Sequence, residues 1–470
     1  MESHTLSSLN DDYVRALSEK EPKWLGKIRE NAFSYYRNLD SEVSPLYNKY
    51  SGVSVLKPEQ IFLSSDHGSI EPFAELNHRI EEANSGICAV NVGNGLYAVN
   101  LPEELKRKGM IIESIHDALR KHEELVKMFL TSNMDPTEDK FLALECSLFN
   151  SGVFVYIPKN LTLELPVTII NTLTSDGVSS VARNIFFLDE SSSASVIQEL
   201  YAPTDASNGK AQQIYFELLE AHVAKNANLE LVTLQAMGNE NMHFSNRKAF
   251  LERDARINWY VGAFGSSFSR YKVDNLLKGE GAYAEHSDII FGNKNQAFDI
   301  TADLTHLASS TRGRVLVKSV LKDSSKSLFK GMIQISKNAK ASESYLAGHA
   351  ILLDKGAKSD AIPGLEIETN EVKATHSASV AQVDEDQMFY LLSRGFNKDS
   401  ARRIIIDGFL EPLARRMSPK VRAWINYLID SKWQGRPLIL KTDEIMREMI
   451  EVEEARVTDT DIFEKHYKYR

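Results

Sequence analysis

The sequence is poor in the residues that several large function classes require. Its 470 residues contain only two cysteines, Cys88 and Cys146, which excludes a disulfide scaffold and a four-cysteine zinc site within one chain. Basic charge is in deficit. Lys plus Arg number 55 against 65 Asp plus Glu, a formal charge of −10, so the positive field of a general nucleic-acid binder is missing. No stretch approaches the roughly 18 uninterrupted apolar residues of a spanning helix; segments such as Val153–Ile157 and Ile404–Ile406 are strand-sized or belong to amphipathic helices. The opening Met-Glu-Ser-His-Thr-Leu has neither a basic nor an apolar leader region, so the expected address is the cytoplasm. A GxxxxGK[ST] phosphate loop, an HExxH zinc motif, a GxSxG elbow and the kinase signatures are absent from the sequence. Gly262-Ala263-Phe264-Gly265 and Gly279-Glu280-Gly281 do not replace them, so the chain is not expected to hydrolyse ATP itself.

What is present is ordinary for a globular chain, with 43% hydrophobic and 26% charged residues, and it divides into three textures. Residues 1–135 read as an α/β or helical region. In Leu105–Leu130, residues Ile112, Ile115, Leu119, Leu125 and Phe129 fall at helical spacing, with Asp117 and Lys121 placed to pair as i, i+4 neighbours. Strand-like Gly86–Val90 and Leu96–Val99 lie between helices. Residues 384–470 read as helical: Asp384-Glu385-Asp386 supplies negative charge at a helix start, Gly395 a stop, and Asn397 or Asp399 the next start. Ile404, Ile405, Phe409 and Leu413 form an apolar stripe, Ser418-Pro419 opens Val421–Ile429, and a charged helical tail follows from Lys441.

Residues 136–383 lose helical periodicity. Short β-rich runs follow one another, among them Val153–Ile157, Val167–Ile170, Ile185–Leu188, Ile214–Leu219, Leu229–Leu234, Val315–Val317 and Met332–Ile335. A turn phrase recurs as Lys225-Asn226-Ala227-Asn228, Lys337-Asn338-Ala339-Lys340 and Lys355-Gly356-Ala357-Lys358, with looser copies at Arg253-Asp254-Ala255-Arg256 and Gly281-Ala282. Ala227, Ala255 and Ala282 are 27–28 residues apart, Ala339 falls near two further periods, and Ala357 follows too soon. A period of this length predicts a β-solenoid rather than a sandwich or propeller, because each rung buries its faces against its neighbours.

Three stretches then carry a family resemblance: Gly152-Val153-Phe154-Val155-Tyr156-Ile157-Pro158-Lys159-Asn160; His306-Leu307-Ala308 with Ser327-Leu328-Phe329-Lys330-Gly331-Met332-Ile333; and Thr375-His376-Ser377-Ala378 running into Asp384-Glu385-Asp386-Gln387-Met388-Phe389-Tyr390-Leu391 and Ser393-Arg394-Gly395. Over roughly residues 140–415 the chain resembles the SufB/SufD family of iron–sulfur cluster assembly proteins. The resemblance implies a mainly β fold, with a right-handed parallel β-helix core between an N-terminal α/β and a C-terminal helical domain. It implies a dimer with a SufB-like subunit or with a second copy, formed through the β-helices. It also implies docking of a SufC-like ABC ATPase on the C-terminal helices, a transient cluster at the dimer interface, and leaves a flavin open. SufB-type members place a cluster-building cysteine on a late strand, where this chain has Ser344–Leu353 with Ala347 near that position, and a carboxylate after the strand histidine, where it has Ser377. His376 in Thr-His-Ser-Ala fits the SufD type, so the chain reads as SufD-like, with a SufB-like homodimer as the alternative.

His376 falls on the apolar face of its strand between Ala374 and Ala378, where a neutral imidazole ligates iron if its second nitrogen has a partner. His349 lies 27 positions earlier, and stacking on an adjacent rung would make the two joint ligands; the plainer reading is a packed histidine. His306 matches a family position but reads equally as architecture. Cys88 and Cys146 read as buried small hydrophobes. Met388, Phe389, Arg394, Arg402 and Phe409 are the candidates for the ATPase interface. Against this scaffold reading stand a β-helix enzyme acting on acidic polysaccharide, which would need a carboxylate pair, and a permease, which would need spanning segments.

Overall fold

A computed structural model describes residues 3–455 except 20, 45–46, 48–49, 51, 65–70, 133, 204–210 and 442–445; the tail expected from Lys441 therefore lies partly outside the described residues. The N-terminal region contains β1 (Ser3–Thr5), α1 (Asp11–Ser18), α2 (Lys23–Asn38), β2 (Phe62–Ser64), α3 (Asn77–Ala83), β3 (Ile87–Val92), β4 (Gly95–Asn100), α4 (Glu103–Arg107), β5 (Ile111–Ser114), α5 (Ile115–Lys121), α6 (Glu123–Ser132) and α7 (Lys140–Leu148). The core runs through β6 (Val153–Ile157), β7 (Val167–Thr172), β8 (Ser180–Leu188), β9 (Ser193–Tyr201), β10 (Ile214–Val223), β11 (Asn228–Gln235), β12 (Met242–Leu251) and β13 (Arg256–Ala263). It continues through β14 (Phe268–Leu277), β15 (Tyr283–Gly292), β16 (Ala297–His306), β17 (Arg312–Leu321), β18 (Lys326–Ile335), β19 (Glu343–Leu352), β20 (Lys358–Ile367) and β21 (Lys373–Gln382). Three helices close the description: α8 (Glu385–Ser393), α9 (Lys398–Ala414) and α10 (Pro419–Trp433).

From β6 onward the chain alternates between two sheets. Even-numbered strands stack as sheet I in the order β20-β18-β16-β14-β12-β10-β8-β6-β5, and odd-numbered ones as sheet II in the order β21-β19-β17-β15-β13-β11-β9-β7-β3-β4. The pairing from β6 to β20 and from β7 to β21 is parallel throughout, giving eight turns of a β-solenoid. Side chains alternate inward and outward. In β12, Ala249 and Leu251 face the interior core while Phe244 faces the N-terminal helices. Middle strands are buried on both sides, as in β10, where all ten residues are buried. That is why their sequence reads as dense apolar runs rather than strict alternation.

The corner after each sheet I strand explains the alanine period. Ser191, Asn226, Asp254, Gly281, Ser310 and Ala341 all have positive φ, which favours Gly, Asn, Asp and Ser. Each N–H donates to a carbonyl one turn on, at Lys225, Arg253, Glu280, Ser309, Lys340 and Glu371. The following residue turns into the core and must be small: Ala227, Ala255 and Ala282, then Thr311 and Ser342, all buried. Ala339 therefore does not continue the column; it sits earlier in a longer corner. Ala357 belongs to the opposite corner, leading into β20, and this removes the irregularity in the period.

Leu105–Leu130 is not one helical stretch. Gly109, at φ 90°, ends the turn after α4, and Ile111–Ser114 pairs antiparallel with β6. Ser114 then caps α5, accepting from the Asp117 N–H at 3.0 Å. The β-branched Ile111–Ile112 pair gains more as an edge strand than as a helix turn. Lys121 reaches Glu113 at 2.9 Å and Asp117 pairs with Arg120, so the expected Asp117–Lys121 pair is not the one formed.

The two outer faces are covered differently. N-terminal helices lie on sheet I over an apolar strip and a series of ion pairs: Arg183–Glu220 at 2.5 Å, Lys248–Glu138 at 2.9 Å, Arg270–Asp139, and Lys330–Asp299 at 2.8 Å with Glu42 at 3.6 Å. Sheet II meets α9 and α10 through an apolar layer that includes Val232, Tyr260, Ile289, Leu316, Leu410 and Trp424. One further link is the buried Lys432 of α10, whose Nζ donates to the carbonyls of Phe264 and Phe291 and to Gln296 Oε1.

Candidate functional site

The ends of the solenoid differ. At the first, β4 and β5 close the two sheets antiparallel, and Leu101, Met110 and Ile112 plug the interior. At the other, β20 and β21 are the last strands of their sheets. Inward-pointing Leu365, Ile367 and Val380 are left 38%, 42% and 46% exposed. His376 lies on this end. It is in register with Leu346, in the interior-facing column that also contains Trp259 and His286, and it is exposed because no further turn covers it. Among the described residues no group of three or more His, Cys, Asp or Glu could hold a metal ion.

His349 is not brought to His376. It is in register with Ser379, three positions along from the Leu346–His376 pair. Three is odd, so the two rings leave opposite faces of sheet II, and the joint-ligand expectation fails. His349 Nδ1 is 2.7 Å from Ser379 Oγ on the outer face, and burial together with Lys318 holds the imidazole below its ordinary value. His306 is architectural: Nδ1 meets Thr311 Oγ1 at 2.8 Å and Nε2 meets Ser344 Oγ at 3.1 Å, and burial pushes its pKa down to about 4.

Neither thiol is available. Cys146 is buried on α7, and burial pushes its pKa up to about 12. Cys88 lies in β3 with its Sγ 3.2 Å from Asn84 Oδ1, and burial raises it too.

The C-terminal helices present a second surface. Phe389 is 73% exposed, and Tyr390, Leu392, Phe396 and Ile404 are exposed beside it. Arg394 lies over the Tyr390 ring, 5.0 Å from its centroid. Burying Phe389 alone would be worth about 2 kcal/mol. Met388 and Arg402 are half-buried. Phe409 is turned the other way, packed toward sheet II beneath Lys318, so it belongs to the seat of the helices rather than to their outer surface. Tyr390, Leu392 and Phe396 were absent from the expected set. Their signal was the run Met388-Phe389-Tyr390-Leu391-Leu392, too wide an apolar arc for one buried helix face.

Two polar features inside and beneath the strands escaped the sequence entirely. Within the solenoid, Arg247 donates to Glu217 at 2.8 Å, to Thr233 at 2.6 Å and to Gln198 at 3.0 Å, bolting sheet I to sheet II. Burial opposes the Glu217 charge, but Arg247 and the surrounding donors hold its carboxyl below the usual range. On the outer face of sheet I, Asp274 and Asp303 are register partners, and burial, then the Asp274 carboxylate, pushes the Asp303 pKa up. A carboxylate pair thus exists on adjacent turns, one that the sequence reading did not find.

A parallel solenoid closed at one end and open at the other, with exposed aromatic residues on lateral helices, is a scaffold-like architecture. Comparison with known sequences gives that scaffold its family. Residues 171–409 match the family described as SUF system FeS cluster assembly, SufBD core domain, and residues 2–169 match the SufBD protein N-terminal region. The chain belongs to the SufBD family of iron–sulfur cluster assembly proteins. An iron–sulfur cluster assembly SufBD family protein of Staphylococcus saprophyticus is 28% identical over 435 residues, spanning 93% of this chain and 90% of the relative. One of Staphylococcus haemolyticus is 27% identical, spanning 88% and 86%. Among the described residues no helix is long and apolar enough to cross a membrane.

Proposed function

We propose that this chain is the SufD-like, non-catalytic scaffold subunit of an ATP-dependent SUF-type assembly complex in the cytoplasm. Its open end pairs with a SufB-like subunit or a second copy, and the cluster is cargo held transiently at that junction. The α8–α9 surface docks a SufC-like ABC ATPase, which supplies the hydrolysis. The observation that carries this reading is the uncapped end, where His376 stands exposed among apolar side chains and no thiol of the chain is within the accessible surface. Unpaired strand edges of this length are templates for pairing with another chain, and a histidine without a local thiolate fits a subunit that shares ligands with its partner rather than one that builds the cluster alone. The accessible cysteine expected of the SufB-like alternative has no counterpart here.

The test is co-purification with an ABC ATPase of this type and with a SufB-like subunit, followed by anaerobic reconstitution and iron and sulfide analysis. The expected result is a complex that retains iron and sulfide and loses iron on His376→Ala without dissociating. A chain that holds neither partner nor iron would overturn the proposal.

A further inference from the structure

The ATPase-docking surface and the open end are separate places, yet the chain joins them in a closed circuit. One arm is covalent: β21 ends at Gln382 and α8 begins at Glu385, leading to α9. The other arm runs back through side chains. α9 packs on β15 and β17, and from β17 the Nζ of Lys318 donates to the carbonyl of Phe409 in α9 and lies 4.7 Å from that residue's ring centroid. Lys318 is in register with His349 on β19, and His349 with Ser379 on β21. The ladder is completed by the 2.7 Å contact of His349 Nδ1 with Ser379 Oγ.

Lys318 is an unusual residue for this position. It is 8% exposed, and a buried ammonium costs free energy unless strongly hydrogen-bonded. Burial lowers its pKa, and it in turn helps to keep His349 neutral. The carbonyl it meets lies one residue after Gly408, in the turn where Pro412 lies inside the helix; a proline there removes an N–H from the helix ladder and loosens that turn. The lysine thus grips α9 one residue from the Gly408 carbonyl, which loses its helical N–H partner to that proline.

We propose that Lys318 is a positioning residue: through the Phe409 carbonyl on one side and His349 and Ser379 on the other, it fixes α9 relative to the terminal strand β21 and transmits movement of α8–α9 to the open end. The inference rests on the roles proposed above for those two surfaces.

The test is amide hydrogen exchange by mass spectrometry on the free full-length chain, with Lys318→Met, Ser379→Ala and the double variant. Lys318→Met is expected to speed exchange about tenfold both around Phe409 and in β21. Ser379→Ala, made on the far side of the ladder, is expected to speed exchange around Phe409, because coupling between two sites is reciprocal. The double variant should show less than the product of the single effects. Loosening of α9 alone by Lys318→Met, or an α9 left unchanged by Ser379→Ala, would make Lys318 a local anchor and overturn the proposal. If Lys318→Met does not fold, Ser379→Ala on the exposed edge strand decides it. Because the measurement needs no partner, failure of the ATPase to bind would count against the proposed function and leave this result standing.

Discussion

The two ends of the solenoid contain the same kind of strand and treat it oppositely. At the first, the chain adds two short antiparallel strands and fills the interior with Met110 and Ile112, 3% and 4% exposed. At the last, the solenoid ends with β20 and β21 and leaves the inward-pointing Leu365, Ile367 and Val380 uncovered. The chain therefore has the means to finish a solenoid and uses them once. Small capped ends are what solenoids ordinarily need for solubility, so the bare end, on strands of ten residues, is the feature on which the proposed pairing with another chain rests.

This contrast can be broken in graded ways. Ile112→Ala at the closed end should lower the unfolding free energy by about 2–5 kcal/mol, whereas Val380→Ala should cost the isolated chain less than about 0.5 kcal/mol. Urea denaturation of both variants checks this, and equal costs would mean the ends are alike. Next, Leu365→Lys with Val380→Lys should weaken assembly through the open end about 100-fold, or about 2.7 kcal/mol, without shifting the melting temperature of the free chain; sedimentation across a concentration series reads it. A change on the lateral surface should separate from both. Phe389→Asp should reduce affinity for the ABC ATPase about tenfold and leave end-to-end assembly intact, as a quantitative pull-down would show.

The smallest effect is a pH dependence that belongs to neither end. Burial, then the neighbouring Asp274, pushes the Asp303 pKa up to about 7. A carboxyl raised in the folded state binds its proton more tightly there than in the unfolded chain. The stability this provides is full at acidic pH and is lost as pH rises through that value. Unfolding free energy should thus fall as pH rises from the unfolded carboxyl value near 3.8 to about 7, and Asp303→Asn should flatten the profile. Affinity at the open end should not follow it.

Much of the fold was legible because the corners are chemically demanding. Asn226, Asp254 and Gly281 occupy a left-handed conformation, and the alanines after them must fit inside, so the rung length is written into the sequence. Where Thr311 and Ser342 do the same work with a hydroxyl, the period vanished from view and Ala339 stood in for it. The Ile111–Ile112 strand was hidden because it is held by β6, forty residues on, and nothing local marks it. His376 was correctly placed on an inward face, but its exposure depends on where the turns stop. Asp274 and Asp303, 29 positions apart, meet only because that rung has that length. The Glu217–Arg247 bolt is invisible for the same reason.

The corner column has a mechanical consequence. Ser191, Asn226, Asp254, Gly281, Ser310 and Ala341 supply one N–H···O link per turn, strung along the axis. Links in series carry equal load, so this edge acts as a tension member, while the packed interior resists bending. Its last link ties Ala341 to the carbonyl of Glu371, just ahead of β21. A pull on the terminal strand is thereby handed to the whole length of the solenoid, which responds as a rod under load and not as a stack of independent loops.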